Sequence, residues 1–188
     1  MGFIDRIRKQ LEKRKWVEKR LEEIKGLRGR DLELKMGHFL FDLSIQKATE
    51  FVREEFSRNE SPFLNIDKYR FFHEITILTF WVVRKVIGGN PAVIEEIHRN
   101  YIQSFNLMET FSETSDSLMR RYETYSNSYD DVWGHQDLLG LEIARYIFGN
   151  REEILRPDIT FWLISYVDDA IKSFEGIKKR WSEKNIRF

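Results

Sequence analysis

The sequence predicts an all-α protein: an irregular, mostly antiparallel bundle of about seven helices, the first of them basic and amphipathic. Three observations lead to this prediction. Apolar residues recur at three- and four-residue steps through most of the chain. Glycines and the three prolines, Pro62, Pro91 and Pro157, fall where that periodicity breaks. The chain also lacks Asn-Gly or Asp-Gly turns and any convincing alternating apolar run, which would indicate β-hairpins.

Helix boundaries follow from residues that start or end helices. Asn90 before Pro91 is typical of a helix start. Gly88-Gly89 and Gly149 are expected to end the helices that precede them, and Thr110 with Glu113 resembles a capping box. These signals and the apolar spacing predict helices over residues 3–25, 32–57, 66–87, 91–106, 111–131, 136–148 and 157–181.

The third and last helices are expected to form the core. The stretch from Ile75 to Val83 is apolar or Thr on every side, which is typical of a fully buried helix. Its flanking charged residues, Glu74 among them, must then find partners or reach solvent. The last helix has an apolar stripe made of Ile164, Val167, Ile171, Phe174 and Trp181.

The first helix has two apolar patches that point in different directions. Phe3, Ile4, Ile7 and Leu11 share one face, and the apolar pattern resumes at Val17, Leu21 and Ile24. The step from residue 11 to 17 rotates the pattern by about 240° around a straight helix. One patch can therefore dock on the rest of the protein while the other contacts a partner. We accordingly divide the chain into a basic arm, residues 1–30, and a helical domain, residues 31–188.

Charge is distributed unequally although the formal net charge of the 188 residues is zero. Residues 1–30 carry a net charge of +6 and residues 172–188 one of +4, whereas residues 31–171 carry −10. Either the basic ends fold onto the acidic middle, or they attract an anionic lipid surface, nucleic acid or a protein partner. The candidate binding residues on the arm are Arg6, Arg8, Lys9, Lys13 and Trp16.

The fifth helix carries an unusual seam of tyrosines. The seam advances at alternating four- and three-residue steps, the spacing of a coiled-coil contact. Its residues are Phe111, Ser115, Leu118, Tyr122, Tyr125 and Tyr129. Tyrosine hydroxyls need partners when buried. The seam is either an internal contact whose hydroxyls reach water or a partly open groove that binds a helix or ligand.

His38, His98 and Asp168 form a candidate internal polar site. Both histidines lie on apolar stripes, so we expect them to point inward, with Asp168 at the edge of the last helix's stripe. Together they could bind a metal or act as an acid–base pair. The alternative, which the sequence favours, is that they are structural residues with local hydrogen bonds. No nucleophile-elbow or phosphate-loop motif is present, and we assign no catalytic residue, metal or cofactor.

These observations favour an interaction or regulatory module over an enzyme. The module would bind a protein partner, a second copy of itself or an anionic membrane surface through the basic arm and the tyrosine seam. A helical enzyme or cofactor binder built on His38, His98 and Asp168 is one alternative. A nucleic-acid-binding accessory protein is another and is less favoured. Lacking cysteine and an apolar stretch near the 20 residues of a spanning helix, the chain is expected to be cytoplasmic, and peripheral to the membrane where the arm binds lipid.

Overall fold

The computed structural model describes residues 3–105, 113–129, 136–149 and 157–186, with the backbone alone for residues 3–10, 136 and 137. Every regular element in these ranges is an α-helix, which confirms the all-α prediction. The helices are α1 (Phe3–Ile24), α2 (Gly29–Phe56), α3 (Lys68–Ile87), α4 (Pro91–Phe105), α5 (Ser115–Tyr129), α6 (Gln136–Phe148) and α7 (Pro157–Glu183). None of the described helices combines the length and apolar character needed to cross a membrane.

The break between α3 and α4 forms as the sequence predicts. Gly88 adopts a left-handed conformation with φ of 86°, and its N–H donates to the carbonyl of Arg84 at 3.2 Å. A glycine is favoured there because other residues pay a steric cost in this region. The side chain of Asn90 then accepts hydrogen bonds from the amides of Ala92 at 3.0 Å and Val93 at 3.3 Å. These bonds satisfy amides that a helix start leaves without partners.

The start of α5 differs from the prediction. Thr110 lies outside the described residues, while Glu113 and Thr114 precede the helix. Thr114 is the capping residue instead: its hydroxyl accepts from the amide of Ser117 at 3.1 Å, and the hydroxyl of Ser117 accepts from the amide of Thr114 at 2.9 Å. This reciprocal pair satisfies two amides at once, so the helix begins at Ser115.

The central helix of the bundle is α3, which packs against α2, α5, α6 and α7. All residues from Ile75 to Val83 are buried, as the uncharged stretch predicts. The last helix contributes Val167, Phe174 and Trp181 to the same core. The other main contacts are between α2 and α4, α4 and α5, α5 and α6, α6 and α7, and α1 and α2.

A close helix crossing joins α2 to α4. A Cβ atom on Gly37 of α2 would lie 2.5 Å from the Cβ of Glu96 on α4. Real Cβ atoms do not approach this closely, so the crossing depends on glycine. A similar approach joins α6 to α7, where Gly140 lies against Thr160. Both glycines are inside helices, and their lack of a side chain sets the distance between the helix axes.

Candidate functional site

The second half of α1 is anchored in the core. Val17, Leu21 and Ile24 are 4%, 0% and 2% exposed. These residues form the second of the two apolar patches that the sequence predicts, and they pack on the body of the protein. Residues 17–24 of the arm are therefore part of the folded bundle rather than a detached segment.

Leu11, the one residue of the other patch whose side chain is described, points away from α2. Lys13 forms an ion pair with Glu50 of α2, with Nζ at 2.8 Å from Oε2. A residue two positions away lies about 200° around a helix, so Leu11 faces the opposite direction. Leu11 is 51% exposed. Arg14 and Lys15 lie three and four residues after Leu11, hence on its face, and both are exposed. Neither has an anionic partner among the residues whose side chains are described.

The remaining predicted arm residues divide into two groups. The side chains of Arg6, Arg8 and Lys9 lie outside the described part of the structure, although their backbone is helical. Trp16 is half-buried: its ring lies 5.7 Å from that of Phe39, and the guanidinium of Arg20 lies 5.6 Å from the indole centre. Trp16 therefore has a packing role on α2.

Ion pairs between oppositely charged side chains hold the two terminal helices, α1 and α7, against their neighbours. On α1, Arg20 lies 3.6 Å from the carboxylate of Asp42 on α2. At the other end of the chain, Arg180 of α7 and Lys184, which directly follows α7, contact Glu18 of α1 at 3.5 and 3.0 Å. On the outward face of α1, Arg14 and Lys15 form no such contact with the described side chains.

The tyrosine seam is largely internal. Tyr122 and Tyr125 are fully buried, so neither is accessible to a partner. The rings of Tyr125 and Trp81 meet edge to face with centres 5.8 Å apart. The hydroxyl of Tyr125 has no hydrogen-bond partner among the described residues, which differs from the expectation that the hydroxyls reach water. The seam is buried because α5 packs between α3, α4 and α6.

Only the last tyrosine of the seam borders an open surface. Tyr129 is half-buried, and the ammonium of Lys85 lies 4.1 Å from its ring centre. Both line a groove of about 550 Å³ that also includes Lys178 and Lys179 of α7. Lys178 donates to the carbonyl of Val86 at 2.7 Å, so it stabilises the end of α3.

The three residues of the predicted internal site do not share a contact. His38 was expected to point inward, which is wrong: its side chain is 55% exposed and its Nε2 lies 3.2 Å from Oε1 of Glu96. The physical reason is the close crossing at Gly37, which places the next residue at the edge of the α2–α4 contact.

His98 is buried as expected and bonds to Ser115 and Tyr122. Asp168 is half-buried on α7 and forms no hydrogen bond or ion pair with either histidine.

A different set of polar residues does meet inside the bundle. Arg121 of α5 pairs with Glu74 of α3, and its second nitrogen lies 3.0 Å from Glu113. Glu113 also lies 3.5 Å from Nε2 of His73, whose Nδ1 bonds to the hydroxyl of Tyr101 on α4. We call His73, Glu74, Tyr101, Glu113 and Arg121 the polar layer. It links α3, α4 and α5 through charged and neutral hydrogen bonds.

The polar layer shifts the ionisation of its members. Burial raises the pKa of Glu74, against the effect of the nearby Arg121 cation. The hydrogen bond with His73, aided by Ser117 and Arg121, lowers the pKa of Glu113 to about 2 despite burial. Glu113 is therefore ionised at neutral pH and balances the Arg121 cation. Burial raises the pKa of Tyr101, so its hydroxyl stays protonated and can donate to His73.

The sequence contained one signal for this layer. Glu74 lies in an otherwise apolar part of α3 and had to find a partner, but nothing in its spacing identified Arg121 on a helix 47 residues away. The described residues contain no group of three or more His, Asp or Glu side chains that could hold a metal ion. Comparisons of the chain with protein-family models, curated proteins and solved structures find no significant match.

Proposed function

We infer that this protein is a helical interaction module that binds an anionic membrane surface through the first half of α1. The observation that carries the proposal is the opposite placement of two leucines on one helix. Leu21 is fully buried, whereas Leu11 is 51% exposed beside the exposed cations Arg14 and Lys15. An exposed apolar residue flanked by basic side chains is typical of helices that lie on a lipid surface.

The sequence supports extending this face toward the N-terminus. By helical spacing, Ile4 and Ile7 fall on the same side as Leu11, and Arg6, Arg8 and Lys9 add positive charge to that half of the helix. Each basic residue near an anionic bilayer contributes about 1 kcal/mol of attraction. The buried residues Val17 and Leu21 hold the helix in place, so binding would not require the arm to fold first.

The other functions considered from the sequence have less support. A protein partner bound by the tyrosine seam would need Tyr122 and Tyr125, which are buried. Stacking on a nucleic-acid base would need Trp16, which already packs on Phe39. An enzyme built on His38, His98 and Asp168 would need a common site that these residues do not form.

Vesicle sedimentation tests the proposal. The full chain should co-sediment with vesicles containing anionic phospholipid, bind neutral vesicles far less, and lose binding as salt rises. The double variant Arg14→Gln/Lys15→Gln should bind about ten-fold or more weakly, since two attractions of about 1 kcal/mol each are removed. Leu11→Ser should also weaken binding, because an apolar side chain is lost from the contact.

Two matched controls separate this face from general surface effects. Leu64→Ser removes another exposed leucine, 42% exposed, from a connecting segment. Arg28→Gln removes an exposed cation after the end of α1. Both should bind vesicles as the unmodified chain does. Equal binding to neutral and anionic vesicles, or equal losses in the controls and the α1 variants, would show that this face is not the binding surface.

A further inference from the structure

A small cleft lies between α3, α4 and α5, and none of its lining residues belongs to α1. It has a volume of about 180 Å³, and its lining includes Arg84, Glu95, His98 and Ser115, with Ile94 and Met119 as apolar side chains. A cleft of this volume can hold a small molecule or the terminal group of a larger one. The polar groups of the cleft decide what it can bind.

The hydrogen-bond directions around His98 follow from its buried neighbour. His98 Nε2 lies 3.0 Å from the hydroxyl of Tyr122, and its Nδ1 lies 2.7 Å from Oγ of Ser115. Tyr122 is fully buried, and its hydroxyl hydrogen has no acceptor other than His98 among the described residues. Since an unsatisfied buried donor is costly, Tyr122 donates to Nε2. A neutral imidazole protonated at one nitrogen then carries its hydrogen on Nδ1 and donates it to Ser115.

With these hydrogen-bond directions, the hydroxyl hydrogen of Ser115 stays available for a further acceptor. Ser115 Oγ accepts from His98, and no described residue accepts the hydrogen of Ser115. Ser115 is only half-buried and lines the cleft. Its O–H can therefore donate to a molecule bound there. Burial of His98, with the nearby Arg84 cation, lowers the pKa of the imidazole to about 4, which keeps it in the neutral form that this arrangement needs.

The second donor of the cleft is a guanidinium. Arg84 is half-buried and has no anionic partner among the described residues, and its guanidinium lies 5.9 Å from the centre of the Tyr122 ring. The one carboxylate in the lining, Glu95, is already 3.6 Å from Arg99. A guanidinium forms strong, directional hydrogen bonds to carboxylate and phosphate oxygens.

We propose that the cleft binds a small oxyanion, the carboxylate or phosphate group of a ligand, with Arg84 and Ser115 as hydrogen-bond donors. The apolar side chains of Ile94 and Met119 would contact the uncharged part of that ligand. The site is independent of the membrane-binding face of α1, so either proposal can fail without the other.

Titration of the full chain with inorganic phosphate, and separately with acetate, tests this site by heteronuclear NMR at constant pH and ionic strength. The expected result is saturable shifts of the Ser115 amide and the His98 ring signals with at least one anion. The anion that binds more tightly identifies the ligand group. Arg84→Gln and Ser115→Ala should each weaken binding about five-fold or more, since each removes a donor to a charged group.

Three further variants keep the result interpretable. Ser115→Thr retains the hydroxyl and should retain binding. Arg84→Lys retains the charge but loses the forked donor, so we expect intermediate affinity. Arg53→Gln removes an exposed cation of α2 and should bind as the unmodified chain does. Non-saturating shifts with both anions, or shifts that Arg84→Gln and Ser115→Ala leave unchanged, would overturn the proposal.

Discussion

Arg121 of α5 forms an ion pair with Glu74, a carboxylate in the buried part of α3. Breaking a buried pair by removing one partner leaves a charge without compensation. We therefore expect Arg121→Met to lower the free energy of unfolding by about 3–5 kcal/mol. Urea denaturation followed by circular dichroism at pH 7 measures this loss.

The neighbouring Arg120 provides a matched control because it is exposed on the same helix. Arg120→Met should change the free energy of unfolding by less than about 0.5 kcal/mol. Adding Glu74→Gln to Arg121→Met should recover part of the loss, since one of the two carboxylates that Arg121 contacts is then replaced by a neutral amide. If the two arginine variants are equally stable, the pair does not hold α5 to α3.

His98 should make the stability of the protein depend on pH. Burial lowers the pKa of the folded imidazole from 6.5 to about 4, so below pH 6.5 the unfolded chain binds a proton that the folded chain does not. Its contribution is complete above the unfolded pKa and is lost as the pH falls from 6.5 toward 4. Between pH 7 and pH 5 this amounts to about 2 kcal/mol.

Comparison of two histidine variants isolates this effect. His98→Leu should remove most of the pH dependence between pH 7 and pH 5 and should alter stability more than vesicle binding. His38→Leu should keep the contribution of His98 to the pH dependence, because the two histidines share no contact. Urea denaturation at both pH values gives the comparison. A His98→Leu variant with unchanged pH dependence would mean that other groups are responsible.

The close approach of α2 and α4 can be tested with a pair of glycine substitutions. Gly37→Ala places a Cβ atom 2.5 Å from that of Glu96, and we expect a loss of about 1–3 kcal/mol from the forced shift. Gly176→Ala in α7 meets nothing within 4 Å. It should stabilise the protein by about 0.5–1 kcal/mol through higher helix propensity. Thermal unfolding of both variants should therefore shift in opposite directions.

The two leucines of α1 should differ in their effect on stability. Leu21→Ala removes a fully buried side chain and should cost about 2–5 kcal/mol. Leu11→Ala should change stability by less than about 0.5 kcal/mol, because Leu11 is 51% exposed. Equal losses in chemical denaturation would contradict the opposite placement of these residues.

Truncation tests whether the arm and the domain are separable. Deleting residues 1–12 should leave a cooperative fold. Deleting residues 1–25 also removes Val17, Leu21 and Ile24 from the core, so we expect a clear loss of stability even if residues 31–188 still fold. A thermal transition unchanged by the longer deletion would show that the whole first helix is an accessory element.

Much of the fold could be predicted because it depends on local chemistry. Gly88 and Asn90 end one helix and start the next through conformational freedom and side-chain hydrogen bonds that act within a few residues. The burial of Ile75 to Val83 follows from the absence of any polar face on that stretch. Likewise, the rotation between Leu11 and Val17 is a property of the helix itself, and it correctly predicts that these two residues lie on different sides of α1.

The candidate sites required the tertiary structure. Apolar periodicity placed His38 and His98 on inward faces alike, yet the crossing at Gly37 leaves His38 at the edge of its contact while His98 is enclosed by Tyr122 and Ser115. The helical class, most helix boundaries and the central helix could be predicted from the sequence, because these depend on residues near one another in the chain. Which polar groups meet, such as Glu74 with Arg121, depends on the rotation and crossing of whole helices, and these are set only when all the apolar faces pack together.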